Sequence, residues 1–487
     1  MLNKSQEKLP SFHILICMIQ VWKPEGKNIM KVPQNAMTIT EVQSVEVEET
    51  YKKLIGTASV KFPRGTVIRK TVTGQNEKEV ANNNSLKANV DDAGVIEEVR
   101  TSSYIASTGD FQTGMRIRIL LGYTQDPAIA ELGKVRNNNK NIFNDTDARN
   151  RFEQACKHQV FDGYITKVSV DTPIELHCEN LASGLKNVSC PKVTIKSKAT
   201  VNELLSSTGK YKLLQGTGLK LLPASKAQNY DLGKIHLDPE LSVADVLTEW
   251  AKFGLHSFVT FDDSGNPCIA VGRSYFSKAG KDSIINTVKQ PSEIPVIKFD
   301  YHVATNDLNL TVTEKKHVAV EAEGVDKNYK FMHITVLYNP KYDPNNPNKV
   351  KDKYRVVNET KLSKKAMKAG ARCLSKAQDK VDMKLYTKIP YHSRKIPITK
   401  DELFEEARKY LESYNANGIE GSLTLFGDLR LHTGTQVRLQ DDRYPGKNGY
   451  YLVEEVHTTF GTDGYRQTIK MPYCIKRDKK DQQNAQK

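Results

Sequence analysis

Two short clusters in the chain have the residue types of a zinc site. Cys156-Lys157-His158 and His177-Cys178 together carry two thiols and two imidazoles, which are ligands that Zn²⁺ prefers. The residues between and around them alternate as a hairpin of two strands, Val160 to Val170 and Pro173 to Cys178. That hairpin places His177 opposite about Thr166 and leaves the first cluster beyond the paired end. We therefore predict no metal site and no cofactor here.

Two pairs of carboxylates, Asp441-Asp442 and Glu454-Glu455, are candidates for acid–base chemistry on a glycoside. Adjacent side chains on a strand point to opposite faces, so neither pair directs both groups at one substrate. Surface charge is the simpler interpretation of both pairs.

Other candidate motifs are incomplete. Asp262 to Asn266 resembles part of a calcium loop but lacks the later Glu, and Gly216-Thr217-Gly218 is an isolated glycine pair. The sequence contains no P-loop, no His-Glu-x-x-His and no Gly-x-Ser-x-Gly elbow. We predict a protein that is not an enzyme and has no catalytic, cofactor-binding or metal-binding residues.

Length and composition describe a globular protein of about three or four domains. The chain has 487 residues, of which 38% are hydrophobic and 8% aromatic. The formal net charge of +15 is compatible with a phosphate-bearing partner, but Lys and Arg are dispersed, and only Lys476 to Lys487 forms a run, which predicts a disordered tail. The seven cysteines, an odd number, indicate reduced thiols and synthesis in the cytoplasm.

The N-terminal part reads as β structure. Phe12 to Trp22 is shorter than the about 18 to 20 residues of a membrane span, so we predict a buried first strand, with a cleaved leader as the alternative. Met37 to Glu48 and Thr57 to Phe62 alternate as strands. Arg64 to Ser107 is poor in large apolar residues and predicts long exposed loops. Further on, the pattern predicts a strand at Met115 to Gly122 and a polar insertion at Asn137 to Asn141. A helix is predicted at Asp145 to Lys157, and the unit is predicted to end at Cys190-Pro191.

From Thr194 the hydrophobic period changes to that of helices. Thr200 to Ser206 and Ser242 to Phe253 are predicted helices, the second with a Ser242–Asp245 capping box and Gly254 at its end. A hairpin, His256 to Phe261 and Cys268 to Val271, completes a small α/β unit.

The strand pattern then returns in Val296 to Asn309 and His317 to Gly324, which predicts the start of a second β unit. A polar loop, Asn339 to Lys353, and helices near Lys361 to Ala377 and Lys400 to Tyr414 interrupt it; Thr399 and Glu402 have capping-box spacing, and Gly418 ends the last helix. The stretch Gly418 to Met471 reads as at least four short antiparallel strands.

One phrase occurs twice. Thr113 to Ile119 and Thr433 to Leu439 share Thr-Gly, a β-branched residue three positions after the Gly, then Arg, then an aliphatic residue. Each is followed by a Gly-Tyr strand, Gly163 to Ile165 and Gly449 to Tyr451. Common turn chemistry explains this as well as a duplicated β-barrel does.

Three groups of residues resemble late control protein D of contractile-tailed temperate phages and the hub part of VgrG spikes. They are Val45 to Glu48 with Lys53 to Ala58; Phe161 to Ile165 with Ile174 to Asn180; and, in the C-terminal part, Gly418 to Gly421, Gly427-Asp428, Gly434, Gly449 to Val453, His457 and Gly464-Tyr465. The resemblance covers most of the chain, and its motifs are structural. The absence of a Gly-rich β-helix repeat implies that the spike is a separate protein.

The resemblance implies a β-dominated α+β fold with two tail-tube-like barrels in one chain. The expected divisions are 1–190 for the first barrel with its long loops, 191–292 for the α/β domain, 293–338 and 418–475 for the second barrel, 339–417 for an inserted excursion and 476–487 for the tail.

By the same resemblance, three chains would form a pseudo-sixfold ring that joins a hexameric tail tube to a trimeric central spike. Expected partners are the tube, spike and other baseplate proteins, with DNA or a tape measure protein passing through without tight binding, no membrane span, and a location in the virion tail. The alternatives are a basic nucleic-acid-binding protein, which nanomolar binding to DNA at physiological salt would favour, and a tail-associated cell-wall hydrolase.

Overall fold

We analysed the protein as a computed structural model. It describes residues 13–23, 36–73, 89–90, 96–97, 99–133, 146–156, 158–169, 173–251, 255–261, 267–273, 293–308, 318–339, 353–357, 363–368, 371–373, 382–383, 386–393, 395, 397–414 and 421–477. The predictions for Asn137 to Asn141, Gly254, Asp262 to Asn266, Gly418, the tail after Arg477 and residues 340–352 of the polar loop lie outside these residues.

The strands are β1 (Ile14–Trp22), β2 (Met37–Ile39), β3 (Ser44–Thr50), β4 (Thr57–Phe62), β5 (Val67–Thr73), β6 (Asn89–Val90), β7 (Ile96–Glu97), β8 (Val99–Ile105), β9 (Arg116–Thr124), β10 (His158–Val168), β11 (Ile174–Asn180), β12 (Val193–Thr200), β13 (Lys220–Leu221), β14 (Asp231–Leu237), β15 (Leu255–Phe261), β16 (Pro267–Arg273), β17 (Val296–Lys298), β18 (Val303–Asn306), β19 (Val318–Val325), β20 (Phe331–Tyr338), β21 (Tyr354–Val356), β22 (Ala371–Cys373), β23 (Thr387–His392), β24 (Leu423–Phe426), β25 (Gln436–Gln440), β26 (Gly449–Leu452), β27 (Glu455–Gly461), β28 (Gly464–Lys470) and β29 (Tyr473–Arg477).

The α-helices are α1 (Pro127–Gly133), α2 (Thr146–Ala155), α3 (Val201–Leu205), α4 (Pro223–Gln228), α5 (Val243–Ala251), α6 (Phe299–His302), α7 (Lys364–Lys368) and α8 (Lys400–Tyr414). Short 3-10 turns cover Thr108–Asp110, Leu181–Asn187 and Pro445–Lys447.

A 13-stranded sheet runs through most of the chain, in the order β18-β24-β28-β27-β3-β4-β11-β10-β9-β1-β2-β5-β8. The predicted first strand is β1, and both of its faces are covered, which explains its continuous apolar sequence. Ile19 lies in the core shared with β9 and β10, whereas Ile16 and Met18 pack with Phe152 of α2. Met37 to Glu48, predicted as one strand, is divided between β2 and β3.

The prediction of loops over Arg64 to Ser107 is wrong in part. β5 and β8 pair antiparallel from Val67 with Ile105 to Thr73 with Val99 and extend the sheet beyond β2. Ile68 is fully buried and supplies the apolar contact that a two-stranded arm needs to hold to the sheet. The low apolar content of the segment concealed these strands.

The α/β unit has a leucine-rich core of its own around α5, β15 and β16. Both predicted helices are present, but Val193 to Thr200 is a strand, and α3 begins only after Thr200. The capping box of α5 is formed as predicted, because Ser242 Oγ accepts from Asp245 N–H and donates to the Asp245 carboxylate.

A five-stranded sheet, β22-β21-β20-β19-β23, packs against α8 through Leu403, Phe404, Ala407 and Leu411. The expectation that His317 to Gly324 begins the second β unit is wrong, because β19 pairs with β20 and β23 in this separate sheet. An alternating strand pattern is the same for any sheet, so it could not assign the strand to one. The helical prediction near Lys361 to Ala377 corresponds to α7 followed by β22.

The C-terminal strands divide between two sheets. β24, β27 and β28 join the 13-stranded sheet, and β25, β26 and β29 form a four-stranded sheet with β17. Val296 to Asn309, predicted as one strand, is broken by α6 into β17 and β18, and Lys476 belongs to β29 rather than to the tail. A core that includes Ile297, Val437, Tyr451 and Ile469 lies between these strands.

Two sets of strands repeat the same four antiparallel pairings. In the first, which we call the N-terminal β unit, β3 pairs with β4, β4 with β11, β11 with β10, and β10 with β9. In the second, the C-terminal β unit, β18 pairs with β24, β24 with β28, β28 with β27, and β26 with β25. β26 and β27 together take the place of β10. The outer strands differ, because β1 is antiparallel to β9 whereas β17 is parallel to β25.

Candidate assembly site

The two β units are joined edge to edge by β3 and β27. The antiparallel ladder runs from Thr50 opposite Glu455 to Ser44 opposite Gly461. Apolar pairs such as Val45 with Phe460 are buried beneath it. A continuous ladder of this length fixes the relative position of the two units, because slipping by one residue would move every buried side chain to the other face.

A buried polar group closes one end of this junction. Tyr51 N–H donates to the Glu454 carbonyl at 3.3 Å, and the Tyr51 hydroxyl donates to the Glu454 carboxylate at 3.3 Å. Lys52 Nζ lies 2.8 Å from the same carboxylate. Burial, with Tyr473 and Glu454 nearby, raises the pKa of Tyr51 well above its usual value, so the hydroxyl stays a donor. The carboxylate is therefore satisfied by groups that come from the other β unit.

A second polar group lies near the start of β10. The His158 Nδ1 atom contacts the Tyr465 hydroxyl, and its Nε2 lies 3.2 Å from His432 Nε2. The Tyr123 hydroxyl donates to the Tyr465 carbonyl at 2.7 Å. Tyr123 and His158 belong to the N-terminal unit, and His432 and Tyr465 to the C-terminal unit. These contacts hold β28 and the loop before β25 against β9 and β10.

Burial keeps both histidines neutral. Burial, with His432 and Arg430 nearby, lowers the pKa of His158 well below its usual range. Burial also lowers the pKa of His432 to about 4. A neutral imidazole has one donor and one acceptor nitrogen, which matches the two contacts that His158 makes.

A cleft of about 450 Å³ opens beside these side chains, lined by His13, Tyr123, His158, Asp428, Arg430 and Tyr465. Both ring nitrogens of His158 are engaged by Tyr465 and His432, so neither is directed at a ligand in the cleft. The group is suited to holding two units together rather than to proton transfer.

The repeated Thr-Gly phrase forms the same turn twice. Gly114 has φ of +86° and Gly434 has φ of +80°, a backbone region that favours glycine. Gly114 N–H donates to the Ile165 carbonyl at 2.8 Å, and Gly434 N–H donates to the Val453 carbonyl at 2.8 Å. In return, Ile165 N–H donates to the Met115 carbonyl and Val453 N–H to the Thr435 carbonyl, both at 2.9 Å. These bonds make Ile165 and Val453 equivalent positions.

The Gly-Tyr part of the repeat is out of register by two residues. Gly163 lies opposite Ile117, whereas Gly449 lies opposite Leu439, which is two positions beyond the residue that matches Ile117. Each unit is irregular just after the equivalent positions. β10 has a bulge between Ile165 and Lys167, and the C-terminal unit has a break between β26 and β27.

The four residues of the candidate zinc site lie in separate environments. Cys156 is in the core beneath β1 and α2, Cys178 is in the core of the N-terminal β unit, and His158 is held at the junction. His177 is exposed and pairs with Lys167, one residue from the predicted position.

The two carboxylate pairs are not simply surface charge. Asp441 and Glu454 are buried. The Asp441 carboxylate lies 2.6 Å from Lys447 Nζ, whereas Asp442 accepts from Gln440 at the surface. Glu455 pairs with Lys470 on the exposed face. In each pair one carboxylate is buried with a structural partner and the other lies at the surface, although Asp441, Asp442 and Glu454 lie outside the strands and not on one as predicted.

The remaining glycine motif is a turn. Gly216 and Gly218 have φ of +79° and +78°, and Thr217 Oγ1 donates to the Leu214 carbonyl at 2.7 Å. These contacts account for the residues Gly216-Thr217-Gly218 without a nucleotide.

Sequence reasoning missed the residues of the junction. Tyr51 is 403 positions from Glu454, and His158 is 307 positions from Tyr465. Glu454 was noticed only as half of a carboxylate pair. Nothing in the neighbouring sequence marks Glu454 as buried, because Tyr51, which binds its carboxylate, lies 403 positions away.

The fold is β-dominated, with large antiparallel sheets. It is similar to a tail protein from Neisseria meningitidis, at 11% identity and a TM-score of 0.44, over 94% of this chain and 96% of that one. It is also similar to the 43 kDa tail protein of prophage MuSo2 from Shewanella oneidensis, at 9% identity and a TM-score of 0.45, over 94% and 96%. A chain of the Francisella PdpA–VgrG complex matches at 8% identity and a TM-score of 0.41, over 94% of this chain and 58% of that chain.

No protein-family model and no curated protein matches the sequence. Among the described helices, none has the length and apolar character needed to cross a membrane.

Proposed function

We propose that the chain is a non-enzymatic structural hub of a phage tail or a phage-like injection particle. Three copies would form a ring with pseudo-sixfold symmetry that joins a hexameric tail tube to a trimeric spike. The observation that carries this proposal is the repeated set of four strand pairings, with the same Thr-Gly turn, fused through β3 and β27 in one chain. A chain with two equivalent units has the repeat needed for three molecules to present six similar surfaces.

In this proposal each β unit is one tube-like barrel. The first occupies residues 1–190, and 191–292 is a peripheral α/β domain. The second barrel takes 293–308 and 421–475, and the excursion of the five-stranded sheet and α8 takes the residues between them. The ring would meet tube, spike and other baseplate proteins in the virion tail, and DNA or a tape measure protein would pass through without tight binding.

Electron microscopy of the purified chain tests the proposal. We expect class averages of a ring with a central hole, six similar densities and threefold symmetry after alignment. A ring of another order, or an experimental structure in which the two units have unrelated strand connections, would contradict it. Release of muropeptides from purified cell wall by the same sample would favour the hydrolase alternative instead.

A further inference from the structure

The junction inside the chain joins two different edges. β27 pairs with β28 on one side and offers its other side to β3. β3 likewise pairs with β4 on one side and with β27 on the other. One unit therefore contributes a β3-type edge and the other a β27-type edge, and the contact is heterologous.

The N-terminal unit has its own strand edge that is equivalent to that of β27 in the C-terminal unit. Because Ile165 is equivalent to Val453, the end of β10 corresponds to β27. Lys167 and Val168 pair with His177 and Leu176 of β11. On the opposite side β9 pairs as far as Tyr164 and the turn at Gly114 and Met115 binds Ile165, and no described strand covers β10 beyond Ile165. Thr166 and Lys167 are exposed there.

The C-terminal unit has its own strand edge that is equivalent to that of β3 in the N-terminal unit. β18 corresponds to β3, pairs with β24 and is the terminal strand of the 13-stranded sheet as described. Ala304, Thr305 and Asn306 are exposed. Asp307 N–H donates to the Ser422 carbonyl, so the alternation of the strand directs the Asn306 N–H away from β24.

Two exposed aromatic side chains lie next to this edge. Tyr301 of α6 is 76% exposed and Tyr444 is 70% exposed. Their segments are in contact, because Arg443 Nη2 lies 3.6 Å from an Asp300 carboxylate oxygen and Lys447 Nζ lies 3.6 Å from the centre of the Phe299 ring. Open strand edges are sites of pairing with other chains, and tyrosine is enriched in protein interfaces.

We infer that β18 of one copy pairs with the end of β10 of a second copy, with Tyr301 and Tyr444 packed in the same contact. This contact repeats between chains the junction that β3 and β27 make within a chain. It rests on the proposed ring, for which it supplies the surface. The occupant is a second copy of this chain, because one edge of each type is used internally and one of each type remains open.

Variants at each edge test the inference. The β18-edge variant is Tyr301→Ser with Tyr444→Ser, and the β10-edge variant is Thr166→Glu with Lys167→Glu, which places two carboxylates where strands must approach. Sedimentation and light scattering up to about 100 µM should give trimers for the natural chain. Each variant should raise the dissociation constant about 10- to 100-fold, as for loss of central interface residues.

The control is Tyr329→Ser. Tyr329 is also 76% exposed but lies in the turn between β19 and β20. This variant should assemble within about twofold of the natural chain. Asn306→Pro, which removes the outward N–H, should weaken assembly like the β18-edge variant. All variants change exposed residues, so we expect them to fold. Thermal unfolding of the monomer checks this.

Mixing the two edge variants tests most directly whether the contact joins two different edges. Each variant retains one intact edge, so a heterologous contact predicts one-to-one dimers in the mixture at a concentration where each variant alone is monomeric. Trimers in both edge variants would overturn the inference and leave the ring proposal intact. A natural chain that remains monomeric at about 100 µM would overturn both.

Discussion

The two β units share a pattern of pairing and differ in what stabilises it. In the N-terminal unit Arg118 lies opposite Asp162, and in the C-terminal unit the equivalent Arg438 lies opposite Tyr450. Arg118 shares the Asp162 carboxylate with Arg116, whereas the Arg438 guanidinium stacks over the Tyr450 ring at 5.8 Å. The two units therefore share their backbone pairing, whereas the side chains at the equivalent positions make a buried ionic contact in one unit and an aromatic contact in the other.

The largest expected effect is the loss of the buried ionic contact in the N-terminal unit. Arg116 Nε and Nη2 each lie 2.9 Å from an oxygen of Asp162, and both residues are buried. Asp162→Asn leaves buried guanidinium charge without its counterion and should lower the free energy of unfolding by about 3 to 5 kcal/mol. Urea unfolding followed by tryptophan fluorescence measures it, because the Arg118 guanidinium lies over the Trp22 ring.

The matched change in the other unit is Tyr450→Leu. It removes one cation–π contact at a half-buried position and should lower the free energy of unfolding by only about 0.5 to 1 kcal/mol. Equal losses for the two variants would mean that the ionic contact does not distinguish the units.

The junction between the units should be sensitive to acid. The pKa of His432 is about 4 in the fold and about 6.5 when unfolded, so the unfolded chain binds the proton first as the pH falls. The stabilising contribution is thus complete above about pH 6.5 and is lost as the pH falls toward 4. The protein should lose stability between pH 7.5 and pH 5, and His432→Gln should make this loss smaller by up to about 2 kcal/mol.

Thermal unfolding at the two pH values measures this difference. His236→Gln is the control, because the His236 side chain is 60% exposed. It should leave the acid sensitivity of the protein unchanged. An unchanged acid sensitivity in His432→Gln as well would show that the junction histidines do not limit stability.

The contrast between local and distant contacts also sets how much the sequence could predict. The buried strand β1, the capping boxes of α5 and α8, and most C-terminal strands follow from alternation and capping within about ten residues. The Thr-Gly turns were found for the same reason. The placement of β19 in a separate sheet and the Tyr51–Glu454 contact depend on residues far apart in the chain, for which a single sequence carries no periodic signal.

A smaller loss than that of Asp162→Asn tests whether the two Thr-Gly turns are the same structure. An added Cβ at Gly114 meets nothing within 4 Å, so Gly114→Ala exposes the cost of a left-handed backbone alone. We expect a loss of about 1 to 2 kcal/mol for Gly114→Ala and at least that loss for Gly434→Ala, because Gly434 is buried. Gly446→Ala, at an open position without a left-handed φ, should cost much less. Urea unfolding of the three variants measures these losses.

A loss of stability at both glycines is the informative result, because both have a left-handed backbone although Gly114 is exposed and Gly434 is buried. Both turns use a glycine N–H to bind the carbonyl of the following strand, at the position just before the bulge of β10 or the break between β26 and β27. If Gly434→Ala were harmless, the C-terminal turn would be able to relax without disturbing β26, and the equivalence of Ile165 with Val453 would lose its support. The assignment of β18 and β10 as matching open edges rests on that equivalence.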